Sequence, residues 1–126
     1  MKKRKYYKLL KLGLFPYDIL VCQGMELDEV RVYLERKYHL RTLDHEAWEP
    51  GRVGKTLHFG TNQTILWLKN APTNPSGIAT LAHEALHSVI QIYQTMGIPF
   101  NADNDEVVAY GVEYIVEQVL RDFRKQ

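Results

Sequence analysis

The feature that most constrains this chain of 126 residues is a pair of histidines, His83 and His87, spaced four residues apart. In an α-helix this spacing places both imidazoles on one face, with Cβ atoms about 5–6 Å apart. Two such imidazoles can ligate one metal ion, with each nitrogen roughly 2.0–2.1 Å from zinc. Glu84 follows the first histidine and points to the neighbouring side of the same face. It is offset from the ligand pair and well placed to hold a water molecule beside the ion.

The flanking sequence favours a long helix with defined ends. Asn74 is a good N-cap, and Pro75 suits the first helical position. Gly97 suits the position just after the helix, and Pro99 prevents its continuation. A final helix is predicted over residues 105–124. It is rich in Val, Ile, Tyr and Phe on more than one side, so we expect it to be well buried.

The stretch from residue 80 to about residue 114 resembles the zincin metallopeptidases, which carry the motif HExxH. Thr80 and Val89 match the positions that flank the motif in that family. The metzincin branch requires a glycine and a histidine where this chain has Ile90 and Tyr93, so it is excluded. The gluzincin branch takes a glutamate from the first turn of the next helix, and Glu106 is the matching residue.

The gluzincin resemblance implies a catalytic Zn²⁺ bound by His83, His87 and Glu106, with one coordination position left open. Glu84 would be the general base for a zinc-activated water, and Tyr110 would donate a hydrogen bond to the oxyanion. In thermolysin-like members an aspartate stands where this chain has Tyr110.

Several other residues could take these roles. Asp105 is the second choice for the third ligand, and the remaining candidates are His45, His58, Asp103, Glu113 and Glu117. Other candidate oxyanion donors are His58, Tyr93 and Tyr114, and Glu106 could instead form a capping box with Asp103.

The rest of the chain predicts an α+β fold with a small mixed β-sheet, an N-terminal helix and two long C-terminal helices. The resemblance to the zincins implies that this layout is zincin-like. Residues 14–126 are expected to form a single domain. Before the two long helices we predict a strand over residues 17–22, a helix over 24–39 and a loop over 40–54. A hairpin is predicted to follow, with strands over 55–59 and 64–69.

Charge is distributed unevenly along the chain. The first eleven residues carry six basic side chains and no acid, whereas the remainder carries ten basic and fifteen acidic residues. Residues 1–13 are therefore interpreted as a basic N-terminal arm, either a solvated, frayed terminus or a weak nucleic-acid contact in which Tyr6 and Tyr7 stack on bases. The single Cys22 excludes an internal disulfide, and no apolar stretch is long enough to span a membrane, so a cytoplasmic location is expected.

These features predict a zinc-dependent metallohydrolase, most consistent with a peptidase that acts on a peptide or protein substrate. The alternative is a non-catalytic, zinc-stabilised binding module that contacts nucleic acid through the basic arm. A third interpretation is a metal-free interaction protein in which the motif is accidental. The sequence does not indicate an oligomeric state.

Overall fold

The computed structural model describes residues 6–11, 17–39, 51–59 and 63–124. Within these ranges four strands and three helices follow one another in the order β1 (Tyr6–Lys11), β2 (Asp18–Gln23), α1 (Leu27–Tyr38), β3 (Gly54–Phe59), β4 (Gln63–Leu68), α2 (Pro75–Thr95) and α3 (Asp105–Arg124). The predicted α+β class, with a small mixed sheet and three helices, is confirmed.

The strands form one sheet in the order β1-β2-β4-β3. β1 pairs antiparallel with β2, β2 pairs parallel with β4, and β3 pairs antiparallel with β4. The predicted hairpin is therefore confirmed, and α1 lies in the crossover that a parallel pair requires. This order leaves β3 at one edge of the sheet and β1 at the other.

The alternation of side chains along β2 separates two hydrophobic cores. Ile19 and Val21 point to the face covered by α2 and α3, whereas Leu20 and Cys22 point to the face covered by α1. The sheet is thus the middle layer of three. The longer helices bury its first face with Leu81, Ala85, Val89, Ile92, Val108, Ile115 and Val119.

The predicted ends of the histidine-bearing helix are confirmed. The side chain of Asn74 accepts a hydrogen bond from the backbone N–H of Gly77 at 2.8 Å, and Pro75 is the first helical residue. Gly97 has φ +79°, the left-handed conformation that glycine adopts without steric cost just after a helix. No helix within the described ranges combines the length and hydrophobicity needed to cross a membrane.

Residues 6–11 form an edge strand, so the prediction of a frayed terminus is wrong for this part of the arm. Leu10 is buried against the longer helices, and the Lys8 ammonium forms an ion pair with Asp122 of α3. Hydrophobic burial and a charge partner on a distant helix together order the segment. Residues 1–5 and 12–13 of the predicted arm lie outside the described ranges.

The two tyrosines proposed to stack on nucleic-acid bases have partners within the fold. The ring of Tyr7 stacks on Tyr33 of α1, with centroids 3.9 Å apart. The hydroxyl of Tyr6 is hydrogen-bonded to Asp122. One face of the Tyr7 ring is therefore covered by Tyr33.

The expected burial of α3 is only partly correct. Its residues Val108, Ile115 and Val119 are buried, but Tyr110 and Val107 are exposed. The reason is geometric: α3 packs against α2 and the sheet with one face, and in the described structure its outer face is not covered. Apolar residues on more than one side of a helix therefore did not imply burial on every side.

Candidate active site

A close approach between α2 and the edge strand β3 defines the site. If Gly54 had a Cβ, that atom would lie 2.7 Å from Cγ2 of Thr80 and 3.2 Å from Cγ of Glu84. Both distances are shorter than ordinary van der Waals contacts, so a larger residue at position 54 would push the helix away. The glycine therefore allows the helix that carries the histidines to pack directly on β3.

Glu84 extends from α2 towards this strand and is buried, with 7% of its surface exposed. The hydroxyl of Thr56, on β3, lies 2.9 Å from the carboxylate oxygen Oε1 and 2.9 Å from the backbone oxygen of Glu84. The Ser88 hydroxyl also donates to that backbone oxygen, at 2.9 Å. Because an ionised carboxylate only accepts hydrogen bonds, the Thr56 proton is the natural donor to Glu84.

His83 and His87 lie exposed on the same helix, with ring centroids 4.8 Å apart. Their Nε2 atoms are separated by 3.1 Å. Two nitrogens at this separation, each about 2.0–2.1 Å from one zinc ion, would subtend an angle of about 100°, close to the tetrahedral value. The pair therefore fits two adjacent positions of a zinc ion. The same distance also fits an imidazole–imidazole hydrogen bond in a metal-free protein, with one ring donating and the other accepting.

The packing of α3 explains why Glu106 does not join this pair. The two helices meet where Val89 contacts Gly111, whose added Cβ would lie 3.0 Å from the valine methyl carbons. They meet again where the Tyr93 hydroxyl donates to the backbone oxygen of Val107 at 3.4 Å. These contacts place Glu106 beside the C-terminal end of α2, about 10 Å along the helix axis from the level of His87.

The direction of the side chains reinforces this separation. At about 100° per residue, His87 points roughly 160° around α2 from Val89, the residue that contacts α3. Thr80 and Glu84, which contact β3, lie on the same side of the helix as His87. The histidines thus lie on the flank of α2 next to β3, and Glu106 and Tyr110 belong to a helix packed against the opposite flank.

Within the described ranges, no group of three or more His, Cys, Asp or Glu side chains is arranged to hold a metal ion. The identification as a gluzincin-like zincin is therefore wrong, because that family requires a third ligand beside the two histidines. Glu84 is not a substitute, since it forms no such group with the pair and its carboxylate is bound by Thr56.

The other candidate residues lie in several places. Exposed positions on α3 or just before it are occupied by Asp103, Asp105, Glu106, Glu113 and Glu117. His58 lies on β3, where a ring nitrogen is 3.4 Å from Oγ1 of Thr64, and His45 lies outside the described ranges. Tyr114 donates to the backbone oxygen of Lys11 at 3.2 Å, and Tyr110 is exposed to solvent.

Sequence reasoning did not identify Gly54 and Thr56 as parts of the site. Thr56 lies 28 residues before Glu84, the residue it contacts, and neither Gly54 nor Thr56 belongs to a motif. The only sequence signal was the alternation of residues along β3, which placed Thr56 on one side of that strand.

Comparisons with models of known protein families, with curated proteins and with solved structures find no match to this chain. A function must therefore be argued from the chemistry of the site itself.

Proposed function

We propose that this protein is a zinc-dependent hydrolase in which His83 and His87 bind the metal and Glu84 is the general base. The observation that carries the proposal is the 3.1 Å separation of the two Nε2 atoms on the helix that also presents the buried Glu84. A zinc ion bound there would acidify a water molecule and stabilise negative charge that develops on a substrate carbonyl.

The residues of the chain supply the proton transfer. Glu84 would take the proton of the attacking water and pass it to the leaving group, as general acid–base catalysis requires. Thr56 fixes the carboxylate from the side of β3, which supports a single orientation during that transfer. Burial of Glu84 reduces competition from bulk water for the same oxygens.

The ligand count has a consequence for affinity. The described residues supply two protein ligands, whereas catalytic zinc sites normally have three. We therefore expect zinc to bind more weakly and to exchange more readily than at a three-ligand centre, with solvent or substrate completing its coordination. A weakly held metal would be lost during purification in the presence of a chelator.

The position of β3 supports a peptide substrate. Within the described ranges β3 pairs only with β4, so one row of its backbone N–H and C=O groups is not engaged by another strand. An extended peptide can pair with such an edge by strand addition. A peptide held there would lie beside Thr56 and Glu84, on the flank of α2 that carries the histidines.

The proposal is tested by measuring zinc binding and peptide hydrolysis on the same variants. Zinc-loaded protein is incubated with a peptide library, and products are identified by mass spectrometry, while zinc binding is measured by calorimetry. Glu84→Gln is expected to bind zinc like the wild type and to lose about 100-fold or more in hydrolysis rate. His83→Ala is expected to lose both zinc binding and activity.

A matched control is His39→Asn, which alters a histidine at the end of α1, on the other face of the sheet. Asparagine tolerates the left-handed conformation of this position, where φ is 54°. The control should match the wild type in both assays. Zinc binding that survives in a His83→Ala, His87→Ala double variant would refute the metal assignment, and an active Glu84→Gln would refute the general base. The alternative, a non-catalytic zinc-stabilised module, predicts folding that requires zinc and no effect of Glu84→Gln.

A further inference from the structure

The histidine pair supplies only half of the ligands of a closed zinc site. His83 and His87 are both exposed, and their Nε2 atoms, 3.1 Å apart, fit two adjacent positions of a tetrahedral ion. Closed zinc sites in proteins almost always have four protein ligands. Within the described ranges no third His, Cys, Asp or Glu side chain completes a group with the pair. A closed site would therefore take its other two ligands from a second molecule.

The face of α2 around the pair is exposed and carries no formal charge. At about 100° per residue, four exposed residues point within roughly 60° of the His83 direction, namely Ser76, Ala79, Leu86 and Gln94. We call these four residues, together with His83 and His87, the α2 outer face. The helix contains no lysine or arginine, and its one acidic residue, Glu84, is buried against β3.

An uncharged face of this kind suits contact with its own copy. When two identical surfaces meet across a two-fold axis, each residue near the axis faces the same residue of the other copy. A charged residue there would oppose a like charge, which disfavours association. The α2 outer face avoids this repulsion. Leu86, which is 38% exposed and lies at the level of the histidines, adds apolar surface close to the pair.

We propose that one zinc ion bridges two copies of this chain, bound by His83 and His87 of each copy. With the ion on the two-fold axis, two identical pairs of imidazoles fill its four tetrahedral positions. The site is incomplete without the second copy, which contributes half of the ligands. This inference rests on the zinc binding proposed above, and it identifies the partner that occupies the positions left open in a single chain.

The bridged dimer is a resting form of the proposed enzyme. Four imidazoles leave no position on the ion for water, so Glu84 has no metal-bound water to deprotonate. One bridged dimer and one further zinc ion give two chains that each hold a single zinc. In that form the positions vacated by the partner's imidazoles are open to water and substrate. The ratio of zinc to protein therefore sets the share of active chains.

The test measures the mass of the full-length protein during a zinc titration, by sedimentation velocity. The protein should be a monomer in the presence of a chelator. Its mass should double when one zinc ion is present for every two chains. A large excess of zinc should restore the monomer, because mass action then favours one ion per chain. Calorimetry of the same protein should show one zinc per two chains in the first binding step.

Two variants locate the bridge. His83→Ala removes a ligand and should remain a monomer at every zinc concentration. Leu86→Lys keeps both ligands but brings an ammonium group from each copy to the axis, so dimerisation should weaken by at least about tenfold while one zinc still binds per chain. Val107→Lys, at a 47% exposed residue of α3, is the matched control and should dimerise like the wild type.

The outcomes separate this inference from the proposed function. Zinc binding at one ion per chain, with a monomer at every ratio, would overturn the bridge and leave the catalytic proposal intact. An absence of zinc binding would overturn both. A dimer that persists in chelator or in His83→Ala, or a Leu86→Lys variant that dimerises like the wild type, would also refute the bridge. A dimer that excess zinc does not dissociate would refute the resting form.

Discussion

The hydroxyl of Thr56 lies 2.9 Å from a carboxylate oxygen of Glu84 and joins the edge strand β3 to the helix that carries the histidine pair. This bond connects two parts of the chain that are 28 residues apart. It gives a buried acidic side chain a specific donor, and it places that side chain beside the strand proposed to bind a peptide.

Thr56→Val should destabilise the protein by about 1–3 kcal/mol, because it removes the hydroxyl donor from a buried carboxylate while preserving the shape of the side chain. The change is measured as the free energy of unfolding in urea at neutral pH. Thr56→Ser keeps the hydroxyl and is the control, and it should retain most of the wild-type stability. Equal loss in the two variants would show that the methyl group, and not the hydrogen bond, matters.

Gly54→Ala should also destabilise the protein, by about 1–3 kcal/mol, because its Cβ would overlap Cγ2 of Thr80 at 2.7 Å. Thr80→Ser removes that methyl carbon, so the double variant should recover part of the loss. The recovery is measured as a coupling free energy in a double-mutant cycle of urea denaturation curves. Strictly additive effects would contradict the proposed contact.

Zinc should raise the thermal stability of the wild-type protein. If zinc binds only the folded state, a concentration 100 times the dissociation constant stabilises it by about 2.7 kcal/mol. Denaturation scans with added zinc and with a chelator measure this difference. His87→Ala should abolish it, whereas His39→Asn should retain it. A stabilisation of equal size in His87→Ala would place the metal elsewhere.

Alkaline pH should weaken the contact between β1 and α3. Burial of Tyr6, together with the negative charge and hydrogen bond of Asp122, raises the pKa of its hydroxyl to about 12 from an ordinary value of 10.0. Folding therefore favours the protonated hydroxyl of Tyr6. Its contribution to the free energy of unfolding is complete below pH 10 and is lost as pH rises towards 12.

The measurement is the free energy of unfolding from pH 8 to pH 12 for the wild type and for Tyr6→Phe. Burial also raises the pKa of Cys22 to about 12, so both proteins should lose stability in this window. The wild type should lose more, because only it contains the Tyr6 hydroxyl. Parallel curves would show that the hydroxyl has no role.

Much of the secondary structure was predictable because its signals are local. Asn74, Pro75 and Gly97 mark the ends of α2 within a few residues of the helix itself, and the spacing of His83 and His87 is a property of one helix. The strand β1 and its place at the edge of the sheet were harder to predict from the sequence. Its Lys8 pairs with Asp122, 114 residues away, and that partner is not encoded by any nearby pattern.

The same distinction between local and long-range signals applies to the predicted site. A motif within α2 brings two imidazoles and a carboxylate to one flank, but the position of Glu106 depends on how α3 packs on α2. That packing includes the close fit of Val89 against Gly111 and the bond from Tyr93 to Val107, contacts between residues with no chemical role in the motif. Matching the family pattern at Glu106 therefore did not establish that its side chain reaches the histidines.

The pairing of Lys8 with Asp122 has a consequence for the order of events during synthesis. The apolar side of β1 is covered by α3, a helix that leaves the ribosome more than a hundred residues later, so this layer closes only after α3 has emerged. A nascent chain that lacked α3 would expose Leu10 and its neighbours to other chains. Completion of α3, rather than formation of the hairpin, should mark the point at which this domain becomes resistant to proteolysis.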